Sequence, residues 1–311
     1  MPIIGRRGWE IEASRITPEA LVMNRRGLLA AAAAGAAIGG AMRPAFAEGE
    51  AAAHPNPKYD PGRPLTDEKA ATTYNNYYEF GESKTIWSRA QALPQRPWTI
   101  KLDGLMAKPR TIGIDDLLKQ VQQEERTYRH RCVEAWAMTV PWTGFPLSQL
   151  LKIAEPLGSA KYVVFETAQD KSMPGLGAPF YPWPYTEGLT MDEAANELTF
   201  ISTGLFGKPL PPQNGGPIRL TVPWKYGFKS AKSLVKISFS EKRPMTFWEG
   251  IQSSEYGFWA NVNPAVPHPR WSQARERLLG SDEMVPTQIY NGYAEFVANL
   301  YTDRKTEKLF M

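Results

Sequence analysis

Apolar and polar residues alternate with a period of two in several stretches, the spacing of strands with one buried face. Arg126 to Arg131 alternates charged residues with other types, and Ser233 to Ser240 alternates again. Pro97 to Gly104 alternates and closes on Asp103-Gly104, a turn signal. Tyr162 to Thr167 is a β-branched and aromatic run that predicts a central strand. Further strands are predicted at Leu198 to Ser202 and Ile218 to Val222. Helical spacing is confined to short segments. Thr111 to Gln122 carries Asp115 and Asp116 near its start and Leu117, Leu118 and Val121 toward the core. Leu147 to Ala154 is a second helix, and Asp192 to Ala195 opens a helical turn. Trp271 to Leu279 and Tyr293 to Tyr301 read as peripheral helices. The pattern is α+β: a mixed, strand-rich core with short helices and long loops.

Composition agrees with a packed core. The chain of 311 residues is 42% hydrophobic and 12% aromatic, with ten Trp and 27 Pro, which favours rigid turns over a helical bundle. Three segments are expected. Residues 1–47 form a leader, 48–73 a Pro-punctuated extended arm (Pro55, Pro57, Pro61, Pro64), and 74–311 a single catalytic domain.

The leader changes the charge picture. Arg25-Arg26 precede an uncharged Ala/Gly-rich run, Gly27 to Met42, with Ala45-Phe46-Ala47 just beyond it, which reads as a twin-arginine export signal with an A-x-A cleavage site. Met23 is a second candidate start. The first 47 residues hold six Arg and three Glu, so removing them takes 36 basic and 32 acidic residues to 30 and 29. Nothing then points to a nucleic-acid partner, which needs a clustered basic face. The expected destination is the periplasm.

Candidate chemistry centres on Cys132, the single cysteine, in Arg129-His130-Arg131-Cys132-Val133-Glu134-Ala135-Trp136. A lone cysteine is a buried small hydrophobe, a reactive thiol, or one thiolate on a metal held mainly by something else. Arg126, Arg129 and Arg131 precede it, and cations favour a thiolate. With three histidines and one cysteine, no set of four zinc ligands is spaced along the chain. There is no C-x-x-C-H for haem, no phosphate-loop glycine motif and no G-x-S-x-G elbow. His130, two residues from Cys132, reads as a packed or partly exposed histidine rather than half of a dyad. Asn214, Arg219, Ser230 and Lys232 lie in two Gly/Pro-punctuated loops suited to an anion, or to ordinary solvated turns.

Five motifs carry a resemblance: Tyr74–Gly81, Arg131–Trp136, Phe165–Thr167, Leu210–Gly215 and Val222–Lys229. They resemble the sulfite-oxidase-type molybdopterin enzymes, most closely the bacterial periplasmic methionine-sulfoxide reductases among them. Asn261–Pro264, His268–Ala274 and Asn291–Ala294 extend the likeness. It implies a sulfite-oxidase-type molybdopterin-binding fold and a molybdenum–molybdopterin cofactor whose metal takes one protein thiolate, Cys132. By position it implies that Asn75, Tyr78, Glu79 and Thr167 contact the pterin. Asn214, Arg219, Ser230, Ala231 and Lys232 would hold its phosphate end and nearby groups. Glu134 would line the metal pocket as a catalytic residue, with Trp136 and Trp142 packing.

The implied activity is reduction of methionine sulfoxide, free or within oxidised periplasmic proteins, through a shallow open pocket. Electrons would come from a haem-containing integral membrane subunit, since no haem is expected in this chain. Relatives that oxidise sulfite often add a C-terminal immunoglobulin-like domain; ten residues follow Tyr301, so a monomer is expected. Two rivals stay open. One is a sulfite dehydrogenase, with Arg129 and Arg131 gathering the anion unless strand alternation turns them away. The other is a metal-free binding protein with a structural cysteine.

Overall fold

The computed structural model describes residues 54–59, 61–304 and 306–310, so the expected export signal lies outside the described residues. In chain order the strands are β1 (His54–Pro55), β2 (Thr99–Gly104), β3 (Arg110–Gly113), β4 (Glu124–Arg131), β5 (Trp136–Pro146), β6 (Tyr162–Thr167) and β7 (Thr186–Thr190). They continue with β8 (Phe200–Leu205), β9 (Lys208–Pro209), β10 (Arg219–Thr221), β11 (Leu234–Ser240), β12 (Arg275–Leu278) and β13 (Met284–Pro286). Helices are short, the longest α-helix among the described residues being Leu147–Ala154. The class is α+β, as the alternation predicts.

Two mixed sheets divide the strands. The five-stranded sheet runs β3-β2-β11-β6-β7, with β11 parallel to β2 and antiparallel to β6. β6 sits inside it, as its β-branched composition predicts. The eight-stranded sheet is built on β5. Along one edge β5 pairs antiparallel with β4, from Glu124↔Gly144 to Arg131↔Ala137. Along the other it meets β12 in parallel near its start and β8 antiparallel near its end. β5 is buried almost throughout, and Trp142 and Phe145 are fully inside. Gly144 is required there, because a Cβ would fall on the Ile201 carbonyl of β8.

Several local expectations change. Thr111 to Gln122 is not one helix: β3 takes its start and only Ile114–Leu118 is helical, with Asp115 and Asp116 in the first turn. The apolar positions Ile114 and Leu117 are buried either way. Trp271 to Leu279 is not helical, because Arg275–Leu278 forms β12 between β5 and β13. Tyr293 to Tyr301 is helical, as Ala294–Val297 followed by a 3-10 turn. The 54–73 segment is more than an extended arm. β1 joins β4 in parallel, Tyr59 is buried against the Tyr128 ring, and Glu68–Thr73 is a helix capped by the Asp67 side chain.

Candidate functional site

The β4–β5 hairpin carries the site. Its connection is the four residues Cys132 to Ala135, closed by the Cys132 N–H on the Trp136 carbonyl at 2.9 Å. Ala135 takes a left-handed conformation, φ 63°, to make the corner. The loop's carbonyls are held from outside. Arg131 donates to the Cys132 carbonyl, Trp271 and Gln273 both donate to that of Val133 at 2.8 Å, and the Arg277 N–H donates to that of Ala135 at 2.9 Å. The sulfur is left facing a pocket.

That pocket holds about 840 Å³ of empty space, part of it open to solvent, and Cys132 is 5% exposed at its wall. All the residues expected to bind the cofactor line it: Asn75, Tyr78, Glu79, Thr167, Asn214, Arg219, Ser230, Ala231 and Lys232. They arrive from separate elements. The 74–81 loop supplies the first three, β6 ends at Thr167, Arg219 opens β10, and the breaker segments on either side of β10 supply the rest. Gly175 lets the 74–81 loop close up, since a Cβ there would fall on the Tyr78 carbonyl.

The pocket's polar groups are unevenly satisfied. Arg219 is buried and donates to the carbonyls of Asn214 at 2.7 Å, Ser230 at 3.1 Å and Leu220 at 3.1 Å, with its guanidinium 5.0 Å from the Trp142 ring centre. Trp142, expected only to pack, thus also supports this cation. Lys232 donates to the carbonyls of Asn76 and Gln213, both at 2.8 Å. Neither cation has a carboxylate partner among the described residues, and burial lowers both, Arg219 to about 10. Asn75, Asn76 and Asn214 each keep a buried side-chain oxygen without a donor. Buried cations without anions, beside acceptors without donors, fit a ligand bearing both an anionic end and N–H groups, as a pterin phosphate does. Glu79 accepts from the Thr167 hydroxyl at 2.9 Å, and burial raises its carboxyl to about 7.

Around the sulfur, Asn76 donates at 3.5 Å and the Glu134 N–H at 3.4 Å. The Glu134 carboxylate meets Lys84 at 2.6 Å and the Asn76 amide at 3.2 Å. The arginines ahead of Cys132 do not reach its sulfur, and only Arg131 lowers the thiol, as the smallest of several causes. Arg126 turns to Glu124 and Tyr128, Arg129 to Pro61 and Gln288, and Arg131 to the buried Glu276 and Gln273. Burial, then the Glu134 carboxylate, push the thiol up to about 12. The cation cluster a sulfite site would need from Arg129 and Arg131 is therefore not formed, because alternation on β4 sends them off the pocket.

Sequence reasoning missed two residues here. Asn76 is the side chain that touches both Cys132 and Glu134, and its signal was the Asn75-Asn76 pair. His130, read as packed or partly exposed, is half-buried and lines the pocket with its Nε2 over Gly227, and burial holds it well below its ordinary range. Its signal was the i, i+2 spacing from Cys132. Among the described residues no group of three or more His, Cys, Asp or Glu could hold a metal, so a metal here needs ligands from a cofactor.

Comparison with known proteins agrees with this geometry. The family model "Oxidoreductase molybdopterin binding domain" matches residues 89–248. The protein-methionine-sulfoxide reductase catalytic subunit MsrP of Ralstonia nicotianae is 49% identical, over 98% of this chain and 97% of the relative. That of Burkholderia mallei is 48% identical over 97% and 96%, and that of Pseudomonas syringae pv. tomato 46% over 95% and 96%. The chain belongs to the protein-methionine-sulfoxide reductase catalytic subunit family, within the oxidoreductases that carry a molybdopterin binding domain.

Proposed function

We propose that this protein is a molybdenum-dependent reductase of methionine sulfoxide, free or in proteins. The observation that carries the reading is the pocket itself: one thiol, two cations with no ion-paired carboxylate among the described residues, and three unsatisfied amide oxygens. The names of the relatives supply the substrate. Cys132 would give the metal its one protein thiolate. Arg219, Lys232, Ser230, Ala231 and Asn214 would hold the anionic end of the cofactor, and Asn75, Tyr78, Glu79 and Thr167 its pterin. When bound, the molybdenum–pterin group supplies two-electron oxygen-atom exchange with the sulfoxide.

The chain's own residues do the rest. Asn76 and the Glu134 N–H donate to the Cys132 sulfur, contacts that would favour the thiolate once a metal takes its proton's place. Reduction of a sulfoxide to thioether and water consumes two electrons and two protons. The Glu134 carboxylate lies on the boundary between the pocket and open solvent, which suits it to pass protons inward at Oε2. Lys84 keeps that carboxylate oriented. Electrons come from a separate haem-containing membrane subunit, and the catalytic subunit works in the periplasm as a monomer after twin-arginine export of the loaded, folded chain. Among the described residues no helix is long and apolar enough to cross a membrane.

The test is protein made in a molybdate-fed, cofactor-competent host. The expected result is one molybdenum per chain and oxidation of a reduced dye that depends on methionine sulfoxide. Absence of the metal, or turnover of sulfite alone, overturns the reading. A Cys132→Ser variant that keeps full activity refutes the ligand role.

A further inference from the structure

Beside the inner pocket lies a second, more open concavity with about 1120 Å³ of empty space, part of it open solvent. The two share Tyr78, Glu134, Trp248 and Tyr256 at their boundary. The outer one then runs past the site to Tyr181, Ile251 and Trp271. Its wall is a set of aromatic rings meeting mostly edge to face. Tyr78 and Trp248 are 4.8 Å apart at 81°, Tyr78 and Tyr181 5.8 Å at 86°. Such rings offer faces to aliphatic and sulfur-bearing side chains with little regard to sequence.

The rim is acidic. Glu82, Glu134 and Glu255 line the groove, against one lining cation, Arg270. Glu134 is paired with Lys84 at 2.6 Å and Glu255 with Arg270 at 2.7 Å. Glu82 is exposed and meets only the Tyr181 hydroxyl, at 2.8 Å, with no cation on it among the described residues. A concavity lined by residues from Tyr78 to Trp271 has more wall than one methionine side chain covers, and its unneutralised charge is negative.

We propose that this groove is a subsite for an extended polypeptide segment, one that carries its methionine sulfoxide into the inner pocket and a lysine or arginine beside it toward Glu82. The inference rests on the proposed function for the identity of the reacting residue. Aromatic faces take the chain's apolar side chains, and the Glu82 carboxylate selects the flanking base. Free methionine sulfoxide reaches the inner pocket without using the groove.

The experiment compares three substrates on the holoenzyme: a fluorescently labelled peptide with methionine sulfoxide between lysines, the same peptide with glutamates, and free methionine sulfoxide. Binding is read by anisotropy and turnover by dye oxidation. At low salt the lysine peptide is expected to bind roughly threefold to tenfold tighter than the glutamate peptide, the range of an exposed charge contact or two. Glu82→Lys, a change on an exposed side chain, should abolish or reverse that preference and leave kcat/KM for free methionine sulfoxide unchanged. Tyr181→Ala should weaken both peptides and spare the free amino acid. Equal binding of the two peptides, or a preference that survives Glu82→Lys, overturns the groove while leaving the reductase reading intact. Preferential binding with no sulfoxide turnover by any substrate overturns the reductase reading and keeps the groove. A self-associated species that buries the groove and excludes both peptides overturns the polypeptide assignment.

Discussion

The Asn76 side-chain nitrogen lies 3.5 Å from the Cys132 sulfur, so one amide from the 74–81 loop ties that loop to the tip of the β4–β5 hairpin. The same nitrogen reaches Glu134 at 3.2 Å. Asn76→Ala removes this donor without touching the cations deeper in the pocket. A charge-assisted hydrogen bond contributes about 1.5–3 kcal/mol, so kcat should fall roughly tenfold to a hundredfold. Metal content should stay near the wild-type value. Metal analysis beside a dye-coupled assay checks both halves.

Lys232 and Arg219 are costly to the cofactor-free pocket, because buried cations lose their water and neither forms an ion pair with a carboxylate among the described residues, Glu79 favouring Lys232 less than burial opposes it. Lys232→Met should therefore leave the cofactor-free protein as stable as wild type, or more stable by about 1 kcal/mol, while lowering cofactor retention. Denaturant melts of the cofactor-free forms and molybdenum content of the loaded forms would show it. A variant that loses stability and keeps its molybdenum would contradict this account.

Glu79 makes stability depend on pH. Its folded carboxyl titrates at about 7 against an ordinary 4.5, with burial the main cause. Between those values the folded state keeps a proton that the unfolded state has released. The contribution is thus full below about pH 4.5 and is lost as pH rises through about 7. Glu79→Gln carries no such proton. Wild type should lose on the order of 3 kcal/mol relative to Glu79→Gln between about pH 4.5 and pH 8. Urea denaturation of both cofactor-free proteins across that range measures it.

Beneath the site Lys229 pairs with Glu187 at 2.5 Å, both fully buried. Lys229→Met strands the carboxylate and should cost about 3–5 kcal/mol, whereas the double change with Glu187→Leu should recover most of that loss. The pair of denaturation curves distinguishes an ion pair that stabilises from one that merely must not be broken.

How far the chain could be read locally follows from where each signal is spent. β4 and β11 were legible because the alternation survives, and β6 through its β-branched and aromatic run. β5 was not. It holds Pro141, Gly144 and Pro146 and is buried on nearly all its residues, so it shows breakers and no alternation. β12 falls within Trp271 to Leu279, which reads as a peripheral helix. In the fold Glu276 is buried against Arg131 and Arg63. No local pattern encodes a partner 145 residues away. The cofactor-side residues were legible through resemblance to a family. Asn76 and His130 were not, since nothing in an Asn-Asn pair or a lone histidine tells which side chain will face the sulfur.

The clamped hairpin tip bears on timing as well as geometry. Ala135 accepts a left-handed corner where glycine would leave the unfolded chain more freedom, and three carbonyls of the loop are held from outside. Little conformational entropy is then left in residues 132–135 to surrender when a ligand arrives. The ordering is completed when the chain folds, so the pocket can meet its cofactor as a rigid receptor, and loading is governed by access and charge rather than by a search for shape.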